Sequence, residues 1–370
     1  MKELTQRYYV PQLDGLRFFA FLLVFIHHFS PSQTAFSTSS LIGSSLETLQ
    51  EFGWAGVDLF LVLSAFLITN LLLLEYRRTG TISLKDFYIR RSLRIWPLYY
   101  LMVLVGFFAS PLSSGKYSGI EHQQMMADHF LPYLAFLGNF SAGMHDYAGS
   151  RFLSHLWTIS LEEQFYLVWP ILLVTLIGHR KVLAVVLSLL LIMSVSLRFY
   201  WLGGPVGHPF IWTNLFCRLD PLVLGTVLAL YRESRSGSGR GDTFRYGLGL
   251  ALLVVPSFFP GVETHSLHIV WQYLSIATGF CLILDASRAG TVSLPHLLLT
   301  NRPIVWLGKL CYGLYVYHLV GINFAKRLQK HLPLAVDGEL SWLATFCLGL
   351  LFTVVLAQLS YSFYEKRFLL

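Results

Sequence analysis

The chain has 370 residues, of which 55% are hydrophobic and only 13% charged, and its mean hydropathy is +0.58. A soluble domain of this length carries about twice that charged fraction, so a water-soluble enzyme is excluded and a polytopic membrane protein is expected. The formal charge of +7 would suggest nucleic acid only if it gathered on a soluble surface; it follows membrane topology instead, and no nucleic-acid partner is expected.

Windows of about 20 apolar residues place about ten spanning helices, at 13–29, 54–75, 93–110, 155–177, 182–202, 212–231, 245–260, 266–286, 303–325 and 341–363. The fold class expected is an all-α polytopic integral membrane helix bundle, read as a single domain over 1–370. The first helix lacks an A-x-A-like cleavage pattern, and its polar residues argue that it is retained. With both termini cytoplasmic, about 20 of the 27 Lys and Arg fall on the inner side, as the positive-inside rule requires. Outside, the connection 30–53 is rich in Ser and Thr. The longer connection, 111–154, is expected to lie along the membrane surface and to cap an outward cavity. Inside, 232–244 reads as a flexible Gly-Ser-Arg link. The four cysteines, Cys217, Cys281, Cys311 and Cys347, have no metal-like spacing, so neither a disulfide framework nor a metal site is expected.

The first helix carries Asp14, Arg17, His27 and His28 in an otherwise apolar run. Ionisable residues in a span face a bundle interior or a polar cavity, because desolvating them is costly. Arg17 and His28 are eleven residues apart, about three turns and roughly 16 Å of rise, and so lie on one face. His27 points about 100° away, so spacing favours His28 as the partner of Arg17's line. In the second helix, Asp58 reads as an outer-face anchor or part of an acceptor site, while Gly56, Ser64 and Ala65 read as a small-residue packing face. Arg90, Arg91 and Arg94 sit at the inner entrance of the third helix, with Arg91 and Arg94 on one face. A lipid headgroup and the phosphates of a nucleotide-bearing cofactor both suit such a cluster, and on this stretch alone the lipid has the stronger claim. The fourth helix brings His155, Trp157, Ser160, Glu162 and Glu163 into one apolar segment. A buried glutamate there needs a partner, either Arg198 or Arg218 in a structural pair or a histidine of the first helix that it orients for proton transfer. Arg218 and Asp220 fall in the sixth helix, and Lys309, Tyr312 and His318 in the ninth.

These residues resemble the acyltransferase-3 family of integral membrane acyltransferases along essentially the whole chain. LDGLR followed by an apolar helix and HH is similar to the family's opening motif of a basic residue, ten residues and a histidine, here Arg17 and His28. RRSLRIWPLYY resembles its R-x-x-R element at Arg91 and Arg94, and HLWTISLEEQFYLVWP resembles its fourth helix at Trp157, Ser160 and Glu162. Three positions depart from the pattern: Ala65, Thr158 and Arg367 stand where the family usually has Gly, Ser and Pro. The resemblance implies a stand-alone member, without the family's SGNH esterase-like extension, in the bacterial cytoplasmic (inner) membrane. It implies acyl-CoA, acetyl-CoA above others, as co-substrate from the cytoplasm, bound by Arg17, Arg90, Arg91 and Arg94, and no metal. The acceptor would be a glycan, lipid-linked sugar or small molecule from the outer side, with membrane lipids around the bundle. His28 would act as general base and Glu162 would orient it, while Asp14, Asp58, Trp157, Ser160 and His318 would support substrate or structure.

Two other classes compete with an acyltransferase. A proton-coupled transporter or flippase also buries His, Glu and Arg, although no internal repeat is evident. A catalytically silent relative would not need Arg17, His28, Arg91, Arg94 and Glu162 together. Replacing His28 with Ala is expected to lower acyl transfer by ~10²–10⁴-fold while leaving insertion and folding intact. Turnover measured beside thermal stability checks this; near-normal rates in His28→Ala with loss in His27→Ala would move the base to His27.

Overall fold

In a computed structural model of the chain, the described residues are 9–29, 41–109, 119–150, 152–204, 207–233, 241–259, 264, 266–331 and 339–369, and every regular element among them is helical. The expected connections 30–53, 111–154 and 232–244 lie partly outside the described residues, as do both ends of the chain. Among the described residues, six helices are long and apolar enough to cross a membrane, or seven if one bent pair is a single span. The protein is an all-α, multi-pass membrane protein.

Helix α1 (Pro11–His28) begins with Pro11, whose missing N–H costs nothing at a helix start. Its phenylalanines form a stripe, Phe21, Phe25 and Phe29, with ring centroids 5.8 and 6.2 Å apart. That stripe packs on Trp342 and Phe346. After α2 (Leu41–Phe52) comes α3 (Ala55–Thr79), the centre of the bundle: 67% of its apolar window is buried, against 22% for the spans beginning at Arg180 and Leu340. It ends at Gly80, whose φ of 73° supplies the left-handed cap and whose N–H bonds Tyr76 O at 2.8 Å.

Helix α4 (Leu84–Leu104) starts about nine residues before the expected span because Ser83 caps it, accepting from Asp86 N at 3.3 Å. Arg90, Arg91 and Arg94 therefore sit within its first three turns. A π-helical turn, Val105–Ala109, continues it. The connection after it is not an idle loop: α5 (Gly119–Leu134) and α6 (Gly138–His145) fold over the bundle, tied down by Tyr99 and Tyr100, whose hydroxyls donate to Tyr133 O and Leu134 O.

Helices α7 (Trp157–Leu176) and α8 (Arg180–Leu202) match their expected spans within a few residues. The next, expected at 212–231, is broken into α9 (Phe210–Thr213), a 3₁₀ turn (Leu215–Cys217) and α10 (Asp220–Glu233). Asn214 diverts the chain by accepting from Phe216 N at 2.9 Å, and Pro221 cannot donate to a preceding turn. Helices α11 (Asp242–Ser257) and α12 (Ile269–Ala289) follow, then the short α13 (Ser293–Leu299). The expected span 303–325 is also bent: α14 (Arg302–Lys309) meets α15 (Cys311–His331) at 82°, and α16 (Glu339–Phe363) closes the bundle.

The bend is held by contact between backbones. A Cβ on Gly308 would fall inside the carbonyl of Asp14, and one on Gly15 would meet Leu299 O. These glycines let α13 and α14 lie directly on the turn of α1 that carries Arg17. Gly308→Ala is expected to destabilise the protein by ~1–3 kcal/mol through overpacking, read as a lower thermal midpoint. The same change at Gly247, which has open space around it, should be near neutral.

Candidate active site

Three cavities meet along α1. The first, of about 360 Å³, lies at the Arg17 end and is lined by Tyr9, Asp14, Arg17, Arg94, Lys309 and Glu365 among others. The second, of about 190 Å³, shares Arg17, Leu67, Leu71, Arg94 and Tyr312 with it and adds Ser64, Arg91 and Glu162. The third, of about 590 Å³, surrounds His27 and His28 and shares Val57, Thr158 and Tyr315 with the second. Adjoining through these shared walls, they lie in series between the guanidinium of Arg17 and the imidazole of His28, as the one-face spacing of α1 predicts.

The Arg17 end is cationic. Asp14 pairs with Arg17 at 2.9 Å across one helical turn. Arg91, Arg94 and Lys309 line the passage and make no ion pair among the described residues. Arg91 instead stands 5.8 Å from the ring centroids of Phe87 and Tyr166. Lys309 Nζ is 5.0 Å from the Tyr9 ring. Unpaired cations on a cavity wall are open to an anionic ligand, and two guanidiniums suit phosphate oxygens. Arg90 differs: it turns away to Glu75, 3.8 Å distant, and faces none of the three cavities. Its place one residue before Arg91 rotates it by about 100°.

Glu162 projects from α7 into the middle cavity. Ser64 Oγ donates to its Oε1 at 2.6 Å, and Arg91 and Arg17 are the cations that face it. It makes no hydrogen bond to His28 among the described residues; the expected Glu162–His28 pair is not formed, because the α7 turn bearing Glu162 lies on the Arg17 side of the Thr158–Tyr315 constriction. There Thr158 Oγ1 and Tyr315 OH are 2.6 Å apart, and Tyr315 OH donates to His155 O at 3.1 Å.

The partners of His28 are Val24 O, 2.9 Å from Nδ1, and His318 Nε2, 3.3 Å from the same nitrogen. His318 is wholly buried and its ring centroid is 4.8 Å from that of His28; His155 stands 4.8 Å from His318 on the other side. His27 is turned to Gln50 O at 2.9 Å but also lines the outer cavity. His155, Tyr315 and Lys309 were not assignable as site residues from the sequence, although Tyr315 and His318 share a face at i, i+3 and His155 is three residues before Thr158. Trp157 lines the outer cavity, its ring 5.5 Å from Trp212. Ser160 is fully buried and faces none of the three cavities.

Asp58 is structural. It is fully buried and bonds Arg218 at 2.5 Å, and that guanidinium stacks 3.9 Å from the Trp212 centroid and 4.3 Å from Tyr273. Arg198 pairs with Asp220 and also donates to Cys217 O and Val270 O. Neither arginine partners a glutamate of α7.

A family model described as an acyltransferase domain matches residues 10–362. The chain belongs to the acyltransferase-3 family. A relative from Staphylococcus aureus (strain COL), provisionally named an O-acetyltransferase, is 30% identical over 372 residues, covering 97% of this chain and 57% of its own length. A Bacillus subtilis (strain 168) protein, provisionally named the peptidoglycan O-acetyltransferase YrhL, is 30% identical over 99% of this chain and 56% of its own. The O-acetyltransferase OatA of Staphylococcus aureus is 27% identical over 98% of this chain and 58% of its own. The chain thus spans just over half the length of these curated relatives. No solved structure matches.

The buried pair generates a stability prediction. Asp58→Ala is expected to cost ~3–5 kcal/mol, because it strands the Arg218 guanidinium in an apolar setting. Asp58→Leu combined with Arg218→Met should recover much of that loss, as read by thermal unfolding in detergent.

Proposed function

We propose that the protein is a membrane O-acyltransferase that moves an acyl group, acetyl above all, from acyl-CoA on the cytoplasmic side of the bacterial inner membrane to a hydroxyl of an envelope glycan, lipid-linked sugar or related small acceptor on the outer side. The observation that carries the reading is the passage with unpaired cations at one end and histidines at the other. The names of the relatives favour acetyl as the acyl group, and one of them favours peptidoglycan as an acceptor.

In this reading the nucleotide phosphates meet Arg17, Arg91 and Arg94, with Lys309 added at the rim. The acyl-pantetheine arm extends through the middle cavity and past Thr158 and Tyr315 towards His28, a reach of roughly 16 Å along α1. His28 Nε2 takes the proton of the acceptor hydroxyl as its oxygen attacks the thioester carbonyl. Trp157, whose indole lines the cavity there, is the donor available to the oxyanion, since the hydroxyls of Thr158 and Tyr315 are already engaged with each other and with His155 O. The tetrahedral intermediate collapses with cleavage of the C–S bond, and the CoA thiolate leaves with the proton held by His28. Glu162 acts on the donor side, keeping Arg91 and Arg17 aimed into the middle cavity.

Purified protein given acetyl-CoA and a glycan acceptor should release free CoA and form an ester; a transporter or flippase releases none. Arg91→Ala with Arg94→Ala should raise the acyl-CoA requirement by ~1.5–3 kcal/mol per phosphate contact, far more than the acceptor requirement. Equal donor affinity in wild type and double variant would return these arginines to lipid anchoring.

A further inference from the structure

We infer that His318 is the positioning partner of His28: it holds the His28 ring in the Nδ1–H tautomer and shares the charge when Nε2 takes up a proton. The inference rests on the general-base reading of His28 and concerns a residue on another helix, 290 positions away.

The tautomers follow from what each nitrogen faces. His318 Nδ1 lies 2.5 Å from Tyr315 O. A carbonyl oxygen only accepts, so His318 Nδ1 carries hydrogen and, in the neutral ring, its Nε2 has the lone pair. His28 Nδ1 therefore faces two acceptors, Val24 O at 2.9 Å and His318 Nε2 at 3.3 Å, and must itself carry the hydrogen. That leaves the lone pair of His28 on Nε2, the nitrogen required as base. Val24 O alone would allow the ring to keep this tautomer, but a backbone carbonyl cannot pick up a proton. An imidazole can, and the Nδ1–H bond to it becomes charge-assisted when His28 is protonated.

The setting supports this division of labour. No carboxylate hydrogen-bonds His28 among the described residues, so the partner usually supplied by Asp or Glu is here an imidazole. The other titratable groups around the pair are His27, ring centroid 5.2 Å from His28, and His155 and Tyr315, 4.8 and 5.5 Å from His318. His155 donates its Nε2–H to Val316 O at 3.1 Å, its buried Nδ1 has no hydrogen-bond partner among the described residues, and it makes no hydrogen bond to the His318 nitrogen that faces His28.

The experiment compares His318→Gln with His318→Leu in the full chain, measuring kcat, KM for acetyl-CoA, KM for acceptor, and thermal stability. His318→Leu cannot accept from Nδ1–H and should lose ~10²-fold or more in kcat with both KM values unchanged. His318→Gln offers a side-chain carbonyl at similar reach and should regain about tenfold of that loss. Adding His318→Leu to His28→Ala should cost little further, since residues acting as one unit are non-additive. Where His318→Leu fails to fold, His318→Met takes its place against Gln. Wild-type kcat in the apolar variant, equal loss in the Gln and apolar variants, or loss that adds fully to that of His28→Ala would overturn the inference alone. Turnover retained in His28→Ala would overturn the general-base reading beneath it.

Discussion

An ionisable side chain in a membrane span must find either an opposite charge or a polar cavity, and this bundle uses both solutions in different places. Asp58 with Arg218, and Asp220 with Arg198, are fully buried pairs: the first ties α3 to the break before α10, and the second ties α8 to α10 itself. Among the described residues Arg91 and Arg94 are in no ion pair, though Glu162 faces Arg91, and they open onto the cavities along α1 instead. Burying a charge pair gains little net stability over apolar packing, but removing one member is expensive. The paired arginines therefore specify how the helices dock, and the unpaired ones are left with spare attraction for an anion.

The same constraint organises α1. Its phenylalanine stripe packs on α16, while Asp14, Arg17 and His28 line the cavities at its two ends. Gly15 and Gly308 bring α13 and α14 against the first turns of this helix, so the segment that closes the Arg17 end is the one bent at Leu310. Beyond the bend, α15 carries Tyr315 and His318 to the other end of the passage. One helix thus lines both ends, and one bent pair of helices closes both.

Between the two ends, Thr158 and Tyr315 form the constriction. Glu162 and Ser64 lie on its cationic side and the histidines on the other. This separation keeps carboxylate and imidazole from pairing, so Glu162 serves the guanidiniums while His318 stands beside His28.

Much of this was legible in the amino-acid order, because local rules act along one helix. Composition required a membrane bundle, and the eleven-residue spacing put Arg17 and His28 on one face of α1 without any knowledge of its neighbours. Arg91 and Arg94, three apart, were bound to share a direction, but Arg90, four before Arg94, shares it too by spacing, and only packing turned it to Glu75. What the order of residues left open was every choice between partners on different helices. Arg218 chose Asp58 over Glu162, Glu162 chose Ser64 over His28, and His28 chose His318, because burial rewards whichever donor and acceptor the packing brings within 3 Å or so and penalises any left unmatched. The bend at Leu310 and the break at Asn214 to Pro221 likewise interrupt runs that read as continuous apolar spans, since hydropathy counts residues while backbone contact at Gly308 and the side chain of Asn214 decide direction. The sequence determined which groups must avoid lipid; only the tertiary structure decided which of them meet, because that depends on helix contacts that no local periodicity encodes.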